Sequence, residues 1–122
     1  MIYHPEPTKA ISVCMATRGR PELAFDSIKT MINKAHNVDE IEFCVAIDND
    51  DQPSLDYFNS TVISWFEEKE LDILVMSFDR LGYAKLNEYI STLALNSKGA
   101  WIITWNDDAL METQDWDKEI AS

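Results

Sequence analysis

Short apolar runs alternate along this chain with longer segments in which apolar residues recur at helical spacing. Four runs rich in β-branched residues predict buried strands at residues 10–16, 41–47, 71–78 and 100–105. Between them, the periodic segments predict helices at residues 21–35, 53–70 and 81–96. Strands that alternate with helices favour βαβ units. The pattern therefore predicts a three-layer α/β/α fold with a mostly parallel sheet.

Composition adds the expectation of one globular domain over residues 1–122, because 46% of the residues are hydrophobic and 26% are charged. The net charge of −12 disfavours nucleic acid and acidic membrane surfaces as partners. No apolar segment reaches the roughly 20 residues of a membrane span. Cys14 and Cys44 lie inside apolar runs, so we expect both to be buried as small hydrophobic residues. We expect a cytoplasmic location, where the reducing environment keeps thiols free.

Polar loops follow all four predicted strands. Their sequences are TRGR, DNDD, DRLGY and NDD. Successive parallel strands end on one side of a sheet, and ligands bind in the crevice outside those ends. We therefore expect the four loops to meet at one edge. The loops or their neighbourhood carry Arg18, Arg20, Arg80 and Lys85, for which ordinary surface charge is the alternative interpretation.

Acidic residues at the strand ends are the main candidates for chemistry. Asp107 and Asp108 repel each other unless a cation or hydrogen-bond donors share their charge. Carboxylates suit Mg²⁺ or Mn²⁺, which keep positions open for substrate phosphates, whereas the alternative is a solvated turn. Asp48 ends the second strand and could accept hydrogen bonds from a base or ribose, while Asp50 and Asp51 more naturally start the next helix.

Other constellations are weaker. His4 and His36 lie far apart, and the sequence contains no GxSxG, P-loop or GxGxxG motif. The four tryptophans are interpreted as core rather than as a carbohydrate platform; they are Trp65, Trp101, Trp105 and Trp116. A receiver-like signalling domain is disfavoured, because its acidic pair follows the first strand and here the pairs follow the second and fourth.

Four blocks in a fixed order, ISVCMATRGRPEL, FCVAIDNDDQPS, LGYAKLNEYI and WIITWNDDALMETQDWD, resemble family 2-type glycosyltransferases of the GT-A fold. They span most of the chain. The resemblance implies a site for a nucleotide-diphosphate sugar, preferably a UDP-sugar, with Mn²⁺ or Mg²⁺ as cofactor. It implies that Asp108 binds the metal directly and that Asp107 contacts ribose or metal. The nucleotide-binding residues that it implies are Ala16, Thr17, Arg18, Arg20, Asp48, Asn49, Asp50, Lys85 and Asp107.

Two departures from the family pattern change what we expect. Arg18 stands where many relatives have an aromatic residue that stacks on the base, so the contact there should differ in kind. Relatives also continue beyond the NDD block into an acceptor-binding half, which supplies the catalytic base of inverting members. We therefore expect most of that half to be lacking here, and the sequence assigns no catalytic residue.

The function expected from the sequence is metal-dependent transfer of a sugar to a saccharide or other hydroxyl acceptor. A homo-oligomer or a partner protein would complete the acceptor site. The alternative is a module that binds the nucleotide sugar without transfer, or that only hydrolyses it.

Overall fold

Four parallel strands form a single sheet in the computed structural model, which describes residues 7–81 and 85–121. The strands are β1 (Lys9–Thr17), β2 (Ile41–Asp48), β3 (Asp72–Phe78) and β4 (Gly99–Thr104). Their spatial order is β3-β2-β1-β4, and all three neighbouring pairs run parallel. The chain therefore moves from β1 through β2 to β3 on one side and then returns to place β4 on the other side of β1.

Helices connect the strands, as the sequence predicts. They are α1 (Pro21–Lys34), α2 (Gln52–Tyr57), α3 (Ile63–Lys69), α4 (Leu86–Asn96) and α5 (Trp116–Ile120), with a short 3₁₀ helix at Val38–Glu40. A π-helical turn (Phe58–Val62) joins α2 to α3, so the helix predicted at residues 53–70 is continuous apart from this wider turn. The start predicted for the third helix includes residues 82–84, which lie outside the described residues. No described helix is long and apolar enough to cross a membrane.

Both faces of the sheet are covered, which confirms the α/β/α layering. One face packs side chains such as Val13 and Phe43 against Phe25 of α1 and Phe66 of α3. The other face packs the smaller residues Cys14, Cys44 and Ala46 against Tyr89 and Leu93 of α4. All eight residues of β2 are buried, because helices lie over both sides of this central strand. Both cysteines are free thiols that serve as small core residues, as expected.

The tryptophans are not all core residues. Trp116 is buried, and Trp65 and Trp105 are partly buried against the main core. Trp101 is 58% exposed, so its interpretation as a core residue was wrong. It lies on β4, an edge strand that is packed less completely than the central strands.

Helix α5 fastens the end of the described chain to the end of α1, and the sequence pattern did not predict it. The Trp116 indole N–H donates to the Met31 carbonyl oxygen at 2.9 Å. The buried Asp117 carboxylate accepts from the backbone N–H groups of His36 at 2.7 Å and Asn37 at 2.8 Å. Burial by itself raises the pKa of Asp117, but hydrogen bonds from the backbone N–H groups of His36, Asn37, Asp117 and Lys118 together hold the pKa below its usual value.

Replacing Asp117 with asparagine is expected to lower the free energy of unfolding at pH 7 by about 1–3 kcal/mol, since an amide oxygen cannot accept both bonds as a charged carboxylate does. A depressed native pKa stabilises the fold above the unfolded-state pKa, and this contribution is lost as the pH falls through the native pKa. Urea unfolding at pH 7 and at about pH 3 should therefore show a larger wild-type advantage at pH 7 than at pH 3. Asp39→Asn, in the exposed 3₁₀ helix, is the control, and an equal loss in both variants would contradict the assignment.

Candidate functional site

An open cleft of about 610 Å³ lies at the carboxyl end of β1 and its neighbours. Because β2 follows β1 on one side and β4 lies on the other, this is the point where the strand order reverses and where open α/β sheets bind ligands. The walls come from the strand ends, the loops behind them and the first turns of α4. The lining residues are Ala16, Thr17, Arg18, Arg20, Ala46, Asp48, Arg80, Leu86, Asn87, Tyr89, Ile90, Thr104, Trp105, Asn106, Asp107 and Asp108.

Asp107 is the anchor of one side of the cleft. Its buried carboxylate accepts from the Thr17 hydroxyl at 2.8 Å and from Arg20, whose Nε and Nη2 atoms bind its two oxygens at 2.9 and 2.7 Å. The forked pairing with Asp107 raises the pKa of Arg20. The charge of Asp107 is therefore balanced within the protein, and both of its oxygens are engaged.

Helix α1 holds the turn that carries Asp107 and Asp108. The buried Ser27 hydroxyl donates to the carbonyl oxygen of Ala109 and accepts from the Trp105 indole N–H at 2.9 Å. One turn further along α1, the Thr30 hydroxyl accepts from the backbone N–H of Met111 at 2.9 Å. These bonds fix the loop on both sides of the acidic pair. The pair is therefore set in a defined orientation toward the cleft.

Asp48 is the anchor of the opposite side. The Tyr89 hydroxyl donates to its Oδ1 atom, and Arg18 Nη1 donates to its Oδ2 atom at 2.9 Å. Arg18 also binds Asp50 through two contacts of 2.6 and 3.2 Å. The hydrogen bonds with Arg18 lower the pKa of Asp50, and the pKa of Arg18 is raised in turn. Arg18 is thus held in place by two carboxylates although its side chain remains 41% exposed.

All three arginines of the sequence line this cleft, although the chain as a whole is strongly acidic. Guanidinium groups bind phosphate and carboxylate in a planar, two-pronged geometry that lysine cannot provide. Arg18 and Arg20 are already oriented by their aspartates. Two of the three guanidinium groups of the cleft are therefore held in fixed orientations, each by ion pairs with neighbouring carboxylates.

Asp108 is the exposed acid of the cleft and the residue best suited to a metal. Among the described residues its carboxylate accepts no hydrogen bond and forms no ion pair, although the charge of Arg20 lies near enough to interact with it. No group of three or more His, Cys, Asp or Glu side chains in the described part of the chain could hold a metal by itself. Mg²⁺ and Mn²⁺, however, are often held by one or two carboxylates with substrate phosphates as the other ligands. The residues present thus fit an ion shared with a phosphate-bearing ligand.

The structure brings most of the sequence-predicted site residues to this one cleft: Ala16, Thr17, Arg18, Arg20, Asp48, Asp107 and Asp108. Asn49, Asp50 and Lys85 are not among the lining residues. Asn49 donates to Asp79 at 2.7 Å, and Lys85 pairs with Glu88 at 3.3 Å. Asp50 contributes indirectly through Arg18. The roles that the family resemblance implies for these residues stay predictions.

Sequence reasoning missed Tyr89, whose hydroxyl binds Asp48. The residue lies in the apolar stripe of α4, where a tyrosine is indistinguishable from any other core aromatic. The only available signal was its polar tip, since a buried tyrosine hydroxyl usually has a hydrogen-bond partner. Which partner it takes depends on how α4 crosses the sheet.

Solved structures of similar fold include the two described below. No family model matches the sequence, and no curated protein sequence matches it. A mannosyltransferase from Pyrobaculum calidifontis, in complex with GDP-Man and Mn²⁺, superimposes with a TM-score of 0.68 at 22% identity, covering 92% of this chain. Residues 1–349 of TarS from S. aureus superimpose with a TM-score of 0.66 at 15% identity, also covering 92% of this chain.

These likenesses show the fold: this chain has the parallel α/β architecture of GT-A-like glycosyltransferases, as the sequence resemblance implied. The chain spans only about a third of the two proteins, 32% of the mannosyltransferase and 31% of the TarS chain.

Proposed function

We propose that the cleft binds a nucleoside-diphosphate sugar and that the protein, with a divalent cation, transfers the sugar to a hydroxyl acceptor. One observation carries the proposal. All three arginines and the exposed carboxylate of Asp108 meet at the strand-order reversal of a glycosyltransferase-like sheet. This is where a sheet of this type binds nucleotides, and the charges suit a diphosphate.

The nucleoside belongs on the Asp48 side in this proposal. Asp48 is buried at the end of β2, and its carboxylate is held by Tyr89 and Arg18. Its remaining lone pairs can accept N–H or O–H donors from a base and ribose. Ala16 and Thr17, at the end of β1, form the adjoining wall. The preorganised carboxylate would bind the nucleoside without first losing side-chain freedom.

The diphosphate belongs on the Asp108 side. Arg20, fixed by Asp107, presents positive charge beside the position where the phosphates would lie. Asp108 would hold Mn²⁺ or Mg²⁺ together with phosphate oxygens. Such an ion, when bound, neutralises the charge that develops on the leaving nucleoside diphosphate. Thr17 and Arg20 hold Asp107 in place, and the arginines would hold the phosphates. With the donor fixed in this way, the acceptor oxygen bonds to the sugar carbon as the bond from that carbon to the diphosphate oxygen breaks.

The acceptor hydroxyl must also lose a proton, and the described residues supply few candidates. Asp48 and Asp107 are paired with arginines, and Asp108 is assigned to the metal. We propose that a second copy or another polypeptide completes the acceptor side. The same observation favours a second candidate function, a module that binds the nucleotide sugar and hydrolyses it slowly or not at all.

Calorimetric titration of UDP and of GDP, with Mn²⁺ or with a chelator, tests the proposal. UDP comes first because uridine is the commonest base in sites of the family that the sequence resembles, and GDP follows because the Pyrobaculum mannosyltransferase was solved with GDP-Man. We expect one of them to bind, with an affinity that chelation lowers by at least about tenfold. If neither of these nucleotides nor any other nucleoside diphosphate bound under any condition, the proposed function would be excluded.

Transfer and hydrolysis are separated by a second measurement on the protein that binds. Release of the nucleoside diphosphate from the matching nucleotide sugar is followed with and without a mixture of saccharide acceptors. Release that depends on acceptor, with a new glycoside formed, supports the transferase. Slow release of the nucleoside diphosphate at a rate that acceptors do not change, or no release, supports the binding module.

A further inference from the structure

Tyr89 links three parts of the cleft through its hydroxyl group. It donates to Asp48 Oδ1 at the end of β2, and it accepts the backbone N–H of Leu81 at 2.8 Å, in the segment that follows β3. The side chain is only 6% exposed, and it lines the cleft from α4. The hydroxyl therefore ties helix, strand end and loop together at the residue that we assign to the nucleoside.

The two oxygens of Asp48 have different fixed partners. Oδ1 accepts from Tyr89 and Oδ2 accepts from Arg18, which approaches from the loop after β1. A carboxylate held at one oxygen can still turn about its last bond, whereas two donors on separate elements fix its plane. Each oxygen keeps one further lone pair. Asp48 thus offers acceptors in directions that Tyr89 and Arg18 determine jointly.

The tyrosine ring is anchored independently of its hydroxyl. It packs on Phe78 with the ring centroids 5.1 Å apart, and it belongs to the cluster formed by Cys14, Cys44 and Leu93. Phenylalanine at this position keeps the ring and these contacts. Removal of the hydroxyl alone therefore releases Asp48 Oδ1 and the backbone N–H of Leu81, while it leaves the core packing in place.

We propose that Tyr89 is a positioning residue that sets the base selectivity of the cleft through Asp48, an inference that rests on the proposed function. A fixed carboxylate selects bases that carry a ring N–H. Uracil and guanine have one on the edge that such an acceptor would meet, whereas cytosine and adenine have a ring nitrogen acceptor at the equivalent position, which repels a carboxylate. The cleft then prefers UDP over CDP among pyrimidines and GDP over ADP among purines.

The test is calorimetry with these four nucleotides and with pyrophosphate, all with Mn²⁺, on wild type and on Tyr89→Phe. We expect the ratio of the CDP and UDP dissociation constants, or of the ADP and GDP constants, to fall by about tenfold in Tyr89→Phe, because one well-placed base contact is worth roughly that much discrimination. Pyrophosphate affinity should change by less than about twofold, since that ligand makes no base contact.

The matched control is Tyr57→Phe, whose hydroxyl makes no hydrogen bond among the described residues and lies outside the cleft lining. It should keep the wild-type ratio. A double-mutant cycle adds Tyr89→Phe to Asp48→Asn, and a residue that acts through Asp48 should then change the ratio no further.

An unchanged ratio in Tyr89→Phe, with or without a lower melting temperature, would overturn the inference and leave Tyr89 a structural residue. A further loss of selectivity in the Asp48→Asn background would overturn it as well. If the wild type bound pyrophosphate and nucleotides without preference, the proposed function would survive and this inference would fail. If it bound none of them, both would fail.

Discussion

Asp108→Asn is expected to weaken Mn²⁺-dependent binding of a nucleoside diphosphate by on the order of 100-fold. Among the described residues, Asp108 is the cleft carboxylate that forms no ion pair with an arginine, so its charge is available to a cation. An amide keeps the shape of the side chain but loses that charge, and it is a poorer ligand for a hard divalent ion. Calorimetry with Mn²⁺ and with a chelator measures the loss, which should be confined to the metal-dependent part of the affinity.

Asp56→Asn is the matched control, since Asp56 is an exposed aspartate on α2 outside the cleft lining. It lowers the negative charge of the protein by the same amount, so it corrects for the general repulsion of an anionic ligand by an acidic chain. If Asp108→Asn and Asp56→Asn bound the nucleoside diphosphate equally well with Mn²⁺, Asp108 would not be a metal ligand. The donor would then have to bind through the arginines alone.

Gly99→Ala is expected to lower the free energy of unfolding by about 3 kcal/mol or more, at the upper end of what overpacking costs. A Cβ atom at Gly99 would lie 2.3 Å from the backbone nitrogen of Ser12 and 2.6 Å from the carbonyl carbon of Ile11. Both are backbone atoms of β1, so no side chain can move aside. The N–H of Gly99 also donates to the Ser12 hydroxyl at 2.8 Å, and this bond would be strained as β4 moves away.

Urea unfolding measures this loss, and Gly19→Ala is the comparison. Gly19 has φ +70° and no atom within 4 Å of a Cβ position, so alanine there costs only the backbone strain of about 1 kcal/mol. Gly99→Ala should also weaken nucleotide binding, because β4 carries the turn with Asp107. A stability loss at Gly99 no larger than that at Gly19 would show that β4 can shift without cost.

Much of the fold could be predicted from local pattern. The β-branched run that became β2 is buried on both faces, and the periodic segment that became α1 packs Phe25 and Met31 against the sheet. These elements follow from spacing alone because burial imposes a period on each type of structure. The convergence of the polar loops also follows, since parallel strands end on the same side. α5 escaped prediction because five residues are too few to show a period.

The local sequence pattern predicts only part of the environment of the acidic pair, Asp107 and Asp108. Local pattern indicates that Asp107 and Asp108 end a strand and that their charges need compensation. It does not indicate that Arg20 supplies this compensation for Asp107, which leaves Asp108 as the exposed member. The two adjacent residues thus differ in environment because one faces the end of β1 and the other faces the open cleft.

The sequence by itself determined the four strands, the helices between them, the parallel sheet and the edge where a ligand would bind. Only the tertiary structure decided that β4 lies beside β1 rather than beside β3, and this choice puts Thr17 and Arg20 within hydrogen-bonding reach of Asp107. The crossing of α4 likewise decided that Tyr89 reaches Asp48. Both outcomes depend on contacts between residues 41 to 90 positions apart, and local hydrophobic periodicity is the same for every strand order.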